Sequence, residues 1–158
     1  MSKQLQTKYP SGRPSAIDEI FKLIQEEKDW NPSIVNVATL KNLGIAPSKE
    51  SPAVHTLKFL GILSQEGVPT EVFQKLRQEF QSTLAVQVRQ AYKTIFDQIP
   101  LSRITQESLV NFFVGEGYVE DTAEYQGALF VQLCKTAGID LPNAPESFKR
   151  ARFKKQKK

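Results

Sequence analysis

His55 and Cys134 are the only histidine and the only cysteine in the 158 residues. Together they can form one kind of reactive pair, a thiolate activated by an imidazole. Cys134 lies in FVQLCKTAG beside Phe130, Leu133 and Ala137, the setting of a core thiol, so the pair reads as structural. The chain has no glycine-rich phosphate loop, no GxSxG elbow and no spaced His/Cys set. Neither catalysis nor a metal or other cofactor is expected. The acids Glu116, Glu120, Asp121 and Glu124 follow glycine turns, and the expectation for them is a solvated face that caps a helix.

What remains is the chemistry of phosphate recognition. The stretch SPAVHTLKFLGILSQEGVPT, residues 51–70, reads as a recognition helix followed by a small wing. At 100° per residue Ala53, Val54, Leu57 and Leu60 form one apolar stripe. The other side presents Ser51, His55, Thr56, Lys58 and Phe59, with Lys49 just ahead and Glu50 opposing it. Side chains of these types reach phosphates and base edges. A purely structural reading competes: Gly67 permits positive φ, Pro69 fixes the exit and Thr70 caps the next helix. Phe59 has two readings as well. Either another part of the fold covers it, or it anchors a protein partner.

Charge is concentrated in the flanks. The formal balance is +4, yet residues 1–14 hold Lys3, Lys8 and Arg13 with no acid. Residues 149–158 hold Lys149, Arg150, Arg152, Lys154, Lys155, Lys157 and Lys158, again with no acid. The body, 15–148, therefore has eleven basic residues against seventeen acidic ones. Within it, 94–148 has only Arg103 and Lys135 against eight acids. A tail such as FKRARFKKQKK is ordinarily solvated, but each engaged cation releases a counterion. About five phosphate contacts would give a slope near −4.5 for log affinity against log salt. An anionic membrane surface is a weaker fit, since Phe148 and Phe153 are a poor anchor.

The elements that must carry these groups are mainly α-helical. SAIDEIFKLIQEEK opens on Ser15 as a cap and buries Ile17, Ile20, Phe21 and Ile24. SIVNVATLKNLG starts like a strand and closes like a helix on Gly44. Ser48 or Ser51 can cap the helix 51–60, with Pro52 in its first turn. Beyond it the turn 64–69 suits a very short hairpin. A long helix follows, breaking near Ser82-Thr83 and ending at Pro100. Thr105 to Ser108 opens a helix stopped at Gly115 to Gly117, and Asp121 to Glu124 opens another, ending at Gly138. The two helix–glycine–helix stretches echo each other weakly, by duplication or by chance.

The expected architecture is a helical bundle with a winged-helix-like first half and a second helical half. The segments are a basic arm 1–14, a subdomain 15–70, a second subdomain 71–142 packed on it, and a basic tail 143–158. No apolar run approaches the roughly 20 residues of a membrane span. MSKQLQTKYPSGRP lacks the apolar core of a signal peptide. One cysteine allows no internal disulfide, which fits a reducing cytoplasm.

Tyr9-Pro10, LKNLGI, LKFLGILSQEGVPTEVF and VRQAYKTIF together resemble a prokaryotic domain-of-unknown-function family, number 5343. The likeness runs from Tyr9 to near Gly138 and is most specific from Leu57 to Phe73. It implies a winged-helix-like first half and no reaction, and it carries over no functional residue. The expectation is thus a non-enzymatic nucleic-acid-binding accessory protein. Helix 51–60 and turn 64–69 would meet DNA, with the basic flanks gripping phosphate. The alternative is a protein–protein adaptor, or a small subunit of a larger assembly, that uses the acidic second half.

Overall fold

The computed structural model describes residues 9–12, 14–45, 52–145 and 148. Among them are eight α-helices: α1 (Pro14–Glu26), α2 (Val37–Asn42), α3 (Pro52–Phe59), α4 (Glu71–Gln78), α5 (Phe80–Ala91), α6 (Lys93–Gln98), α7 (Gln106–Gly115) and α8 (Glu120–Ala137). A 3-10 turn, Leu101–Arg103, joins α6 to α7. No strand longer than a single bridge occurs among these residues. The protein is a mainly helical bundle.

Side-chain caps set several helix starts. Asn36 accepts from the Thr39 N–H at 3.0 Å while the Thr39 hydroxyl accepts from the Asn36 N–H at 3.2 Å, so the ambiguous SIVNVATLKNLG is extended up to Asn36 and helical after it. Thr105 and Ser108 form the same reciprocal pair ahead of α7. Two starts differ from expectation. Helix α1 begins at Pro14, so Ser15 lies inside the first turn rather than capping it. Helix α8 begins at Glu120 after Val119, with no side-chain cap, so Glu120 and Asp121 sit within its first turn. Negative charge there still complements the exposed N–H groups.

The long helix divides at Glu79 and Tyr92, not at Ser82-Thr83. Glu79 takes φ −143° and ψ 82°, and the bend lets Phe80 turn its ring onto Phe21 of α1 at 5.3 Å. Packing outweighed local propensity here.

Ile17, Ile20, Phe21 and Ile24 of α1 are buried against α3, α4 and α8. Each such side chain contributes about 2 kcal/mol of burial. Helix α8 is the axis of the second half, packing on α7 and α5 through Leu129, Phe130, Leu133 and Cys134. One continuous core joins both halves. Packing continues past Pro142, where the sequence suggested a tail. Asn143 donates to the Ser102 carbonyl at 2.6 Å, and Phe148 lies against the core.

Candidate functional site

Helix α3 buries Ala53, Val54 and Leu57, as its apolar stripe requires, but it buries Thr56 too. Thr56 is 0% exposed, and its hydroxyl donates back to the Pro52 carbonyl at 3.0 Å. That corrects its expected place among the phosphate-reaching residues. A hydroxyl pointed at its own helix four residues back has no reach left. His55 is exposed and Lys58 half-buried. Lys49, Ser51, Lys149, Arg150, Arg152, Lys154 and Lys155 lie outside the described residues, as does the cap expected from Ser48 or Ser51.

The turn after α3 is closed by its own backbone. Gly61 takes φ +79° and ends the helix. Leu63 and Pro69 form an antiparallel bridge, and the Ser64 N–H donates to the Val68 carbonyl at 2.8 Å. The Val35 N–H donates to the Gly67 carbonyl at 2.8 Å, which ties the extended 34–35 segment to the turn. Gly67 has φ +87°, and a Cβ there would stand 2.8 Å from the Val35 carbonyl oxygen, so only glycine fits. The Thr70 hydroxyl lies 2.7 Å from the Gly61 carbonyl and 3.1 Å from that of Ile62, and it accepts from the Val72 N–H. Gln87 of α5 donates to the Leu60 carbonyl at 2.8 Å. Turn 64–69 holds no cation, and its exposed apolar groups are Val68 at 46% and the neighbouring Ile34 at 43%.

Phe59 is half-buried, its ring 5.0 Å from Tyr92 and 5.7 Å from Tyr9. The α5–α6 junction and the segment before α1 cover it, so it is largely internal and a poor anchor for a partner. Tyr9 is the residue that sequence reasoning missed. Its ring also meets Phe112 and Phe113 of α7. Its N–H donates to the Tyr118 hydroxyl at 3.1 Å, and its carbonyl accepts from Gln126 Nε2 at 3.0 Å. Burial pushes the Tyr9 phenol above its ordinary range, opposed in part by a hydrogen bond with Thr94. In the sequence Tyr9-Pro10 entered only as the start of a family resemblance, inside an expected basic arm, with no packing role. Phe112, Phe113, Tyr118 and Gln126 lie more than a hundred residues away along the chain.

Next to Gln126 on α8 is Gly127. A Cβ there would stand 2.6 Å from Cε2 and 3.0 Å from Cζ of Phe148, and 3.3 Å from Cβ of Leu109 on α7. The glycine is the seat of the Phe148 ring. In the sequence Phe148 counted only as an aromatic among cations.

Cys134 is fully buried, and burial pushes its thiol up to about 12, with Arg89 opposing. Such a thiol is protonated at neutral pH and is no nucleophile. Tyr92 is likewise fully buried, with its phenol raised well above the ordinary value mainly by burial. Among the described residues no group of His, Cys, Asp and Glu is arranged to hold a metal. Glu116, Glu120 and Asp121 are exposed, but Glu124 is only 3% exposed, which corrects its place on a solvated face. Glu124 shares the buried side of α8 with Ala123 and Gly127, where that helix meets its neighbours. No described helix is long and apolar enough to cross a membrane.

Fold and surface therefore define a small all-helical domain with an acidic body, one buried thiol and cationic flanks. The chain belongs to the family of unknown function DUF5343, whose family model matches residues 9–143. No curated protein and no solved structure matches it.

Proposed function

We propose that this is a non-enzymatic nucleic-acid-binding accessory protein of winged-helix type, working in the reducing cytoplasm of a prokaryotic cell. One observation carries the reading: helix, extended segment, helix, helix and bridged turn follow in order through α1, 34–35, α2, α3 and 62–70. The Val35 to Gly67 hydrogen bond closes that order into a unit. In a winged helix this arrangement presents the third helix and the turn to a duplex. His55 and Lys58 are the described side chains of α3 suited to meet it, and the cations of 149–158 supply affinity without base preference.

The test is fluorescence anisotropy with duplex and single-stranded DNA across a salt series. The intact chain is compared with one lacking 149–158 and with the His55→Ala/Lys58→Ala double variant. The expected result is binding at low salt that weakens about ten-fold on losing the tail and about three-fold in the double variant. Failure of the intact chain to bind either DNA at low salt ends this reading. A second reading, a protein–protein adaptor, is favoured by the acid excess of the body and by exposed Ile34 and Val68 at the turn. Such an adaptor would hold a basic partner and ignore DNA.

A further inference from the structure

Residues 9–12 run along one side of α3. At one end the Tyr9 ring meets Phe59, 5.7 Å away, in the last turn of the helix. At the other end Gly12 is buried against the first turn. A Cβ on Gly12 would stand 3.0 Å from Cβ of Pro52 and 3.4 Å from the Pro52 carbonyl oxygen. That oxygen is the one that accepts the Thr56 hydroxyl. Pro52, Thr56 and Phe59 follow at i, i+4 and i+7, which is one face of a helix. The segment therefore lies over the face that holds the buried Thr56, and it leaves the adjoining edge to His55 and Lys58.

The same segment is fastened to the second half. The Tyr9 N–H donates to the Tyr118 hydroxyl, its carbonyl accepts from Gln126 of α8, and its ring packs on Phe112 and Phe113 of α7. Gln126 is 1% exposed, and its Oε1 has no hydrogen-bond partner among the described residues. A buried amide with one unsatisfied end costs stability, and the bond that offsets this cost is the one to Tyr9. Helix α3 itself has eight residues, too few to hold a place without packing, and among the helices it meets mainly α1.

We infer that segment 9–12 is the positioning element of α3: it sets, from the α7–α8 half, where that helix stands against a duplex. Tyr9 and Gln126 are its positioning residues. This rests on the nucleic-acid reading above and deepens it at the same surface of α3 and the turn. Neither residue needs to touch DNA. Each acts on the fraction of chains in which α3 stands in the binding position, and apparent affinity falls in proportion to that fraction.

Tyr9→Ala removes the ring, Gln126→Leu removes the donor at similar size, and Gly12→Ala drives a methyl against Pro52. Every charge is kept. Duplex DNA affinity at low salt is read by anisotropy well below each variant's melting temperature, with a native helical spectrum as the check on folding. Affinity should fall about ten-fold in Tyr9→Ala and about three-fold in the other two. Tyr9→Phe, which keeps the ring and both backbone bonds, should bind within about two-fold of the parent. The slope of log affinity against log salt should stay that of the parent, since no phosphate contact is lost. Folded variants that bind as tightly as the parent overturn this inference and leave the nucleic-acid reading standing. Tighter binding overturns it too, because 9–12 would then be a cover over α3. So does weaker binding with a shallower slope, which would mean that cations of 1–8 had left phosphate. An intact chain that binds no DNA overturns both.

Discussion

The two halves of the molecule are held by different chemistry. In the first, polar side chains are turned on the chain's own backbone. Arg77 of α4 reaches across to α1, donating to the Ile24 carbonyl at 2.8 Å, to the Glu27 carbonyl at 2.9 Å, and to the Trp30 carbonyl and the Asn31 side chain. Its guanidinium also lies 5.2 Å from the Phe73 ring centre. It completes the free carbonyl end of α1 that a helix leaves unsatisfied. In the second half aromatic rings do the joining. Tyr92, with Phe59, Phe130 and Tyr9 around it at 4.8 to 5.8 Å, is fully buried. Its hydroxyl has no hydrogen-bond partner among the described residues. The contrast teaches where to look for function. Polar groups committed to the chain's own carbonyls, such as Thr56 and Thr70, are not available to a ligand.

The contrast can be broken most strongly at Arg77. Arg77→Ala leaves several carbonyls near α1 without their donor and should lower stability by about 3 kcal/mol. That is a fall of roughly 6–12 °C in Tm for a chain of this size. A loss under about 1 kcal/mol would mean that packing, not this polar clamp, holds α1 to α4. Thermal and urea unfolding of the variant decide it.

The dryness of the second half is tested by alkali. The folded-state pKa of Cys134, about 12, lies above its ordinary value of 9.0. The unfolded chain therefore loses the thiol proton first, and stability falls as pH rises from about 9 towards 12. Each pH unit in that window removes up to about 1.4 kcal/mol. By pH 11 the intact chain should have lost about 2 kcal/mol more than Cys134→Ala. Equal pH profiles for the two would show that water reaches the thiol.

The smallest effect belongs to the seam between the halves. Asp18 of α1 lies 3.4 Å from Gln132 Nε2 of α8, and partial burial raises its pKa above 3.8. A carboxyl raised on folding opposes the folded state once ionised, so its cost appears as pH rises through the raised pKa. Asp18→Asn should raise Tm by about 1 °C at pH 7, after solvent screening, and the gain should vanish near pH 3. A loss of stability at pH 7 would instead mark the Gln132 contact as a net support.

Local cues located most of the helices. Gly44, Gly61 and Gly138 all take positive φ at helix ends, and Thr70 and Thr105 both cap. These cues act within four residues and are legible in any amphipathic sequence with its punctuation intact. The site was less legible. A helical projection placed Thr56 on the outer side of α3, and only the neighbours packed over it turn that position inward. Glu124 was misplaced for the same reason, while Phe59 met the first of its two readings: the position of a residue on its helix says which way it points, not what stands there.

By itself the sequence determined a helical domain with an acidic body, cationic flanks and one cysteine unable to form an internal disulfide. Those properties depend on composition and on short-range backbone preference. Only the tertiary structure decided that Tyr9 and Phe148 are seated side by side on α8. The Tyr9 contact spans more than a hundred residues, which no local pattern encodes, and the Phe148 contact depends on a glycine whose missing side chain matters only once a ring lies over it.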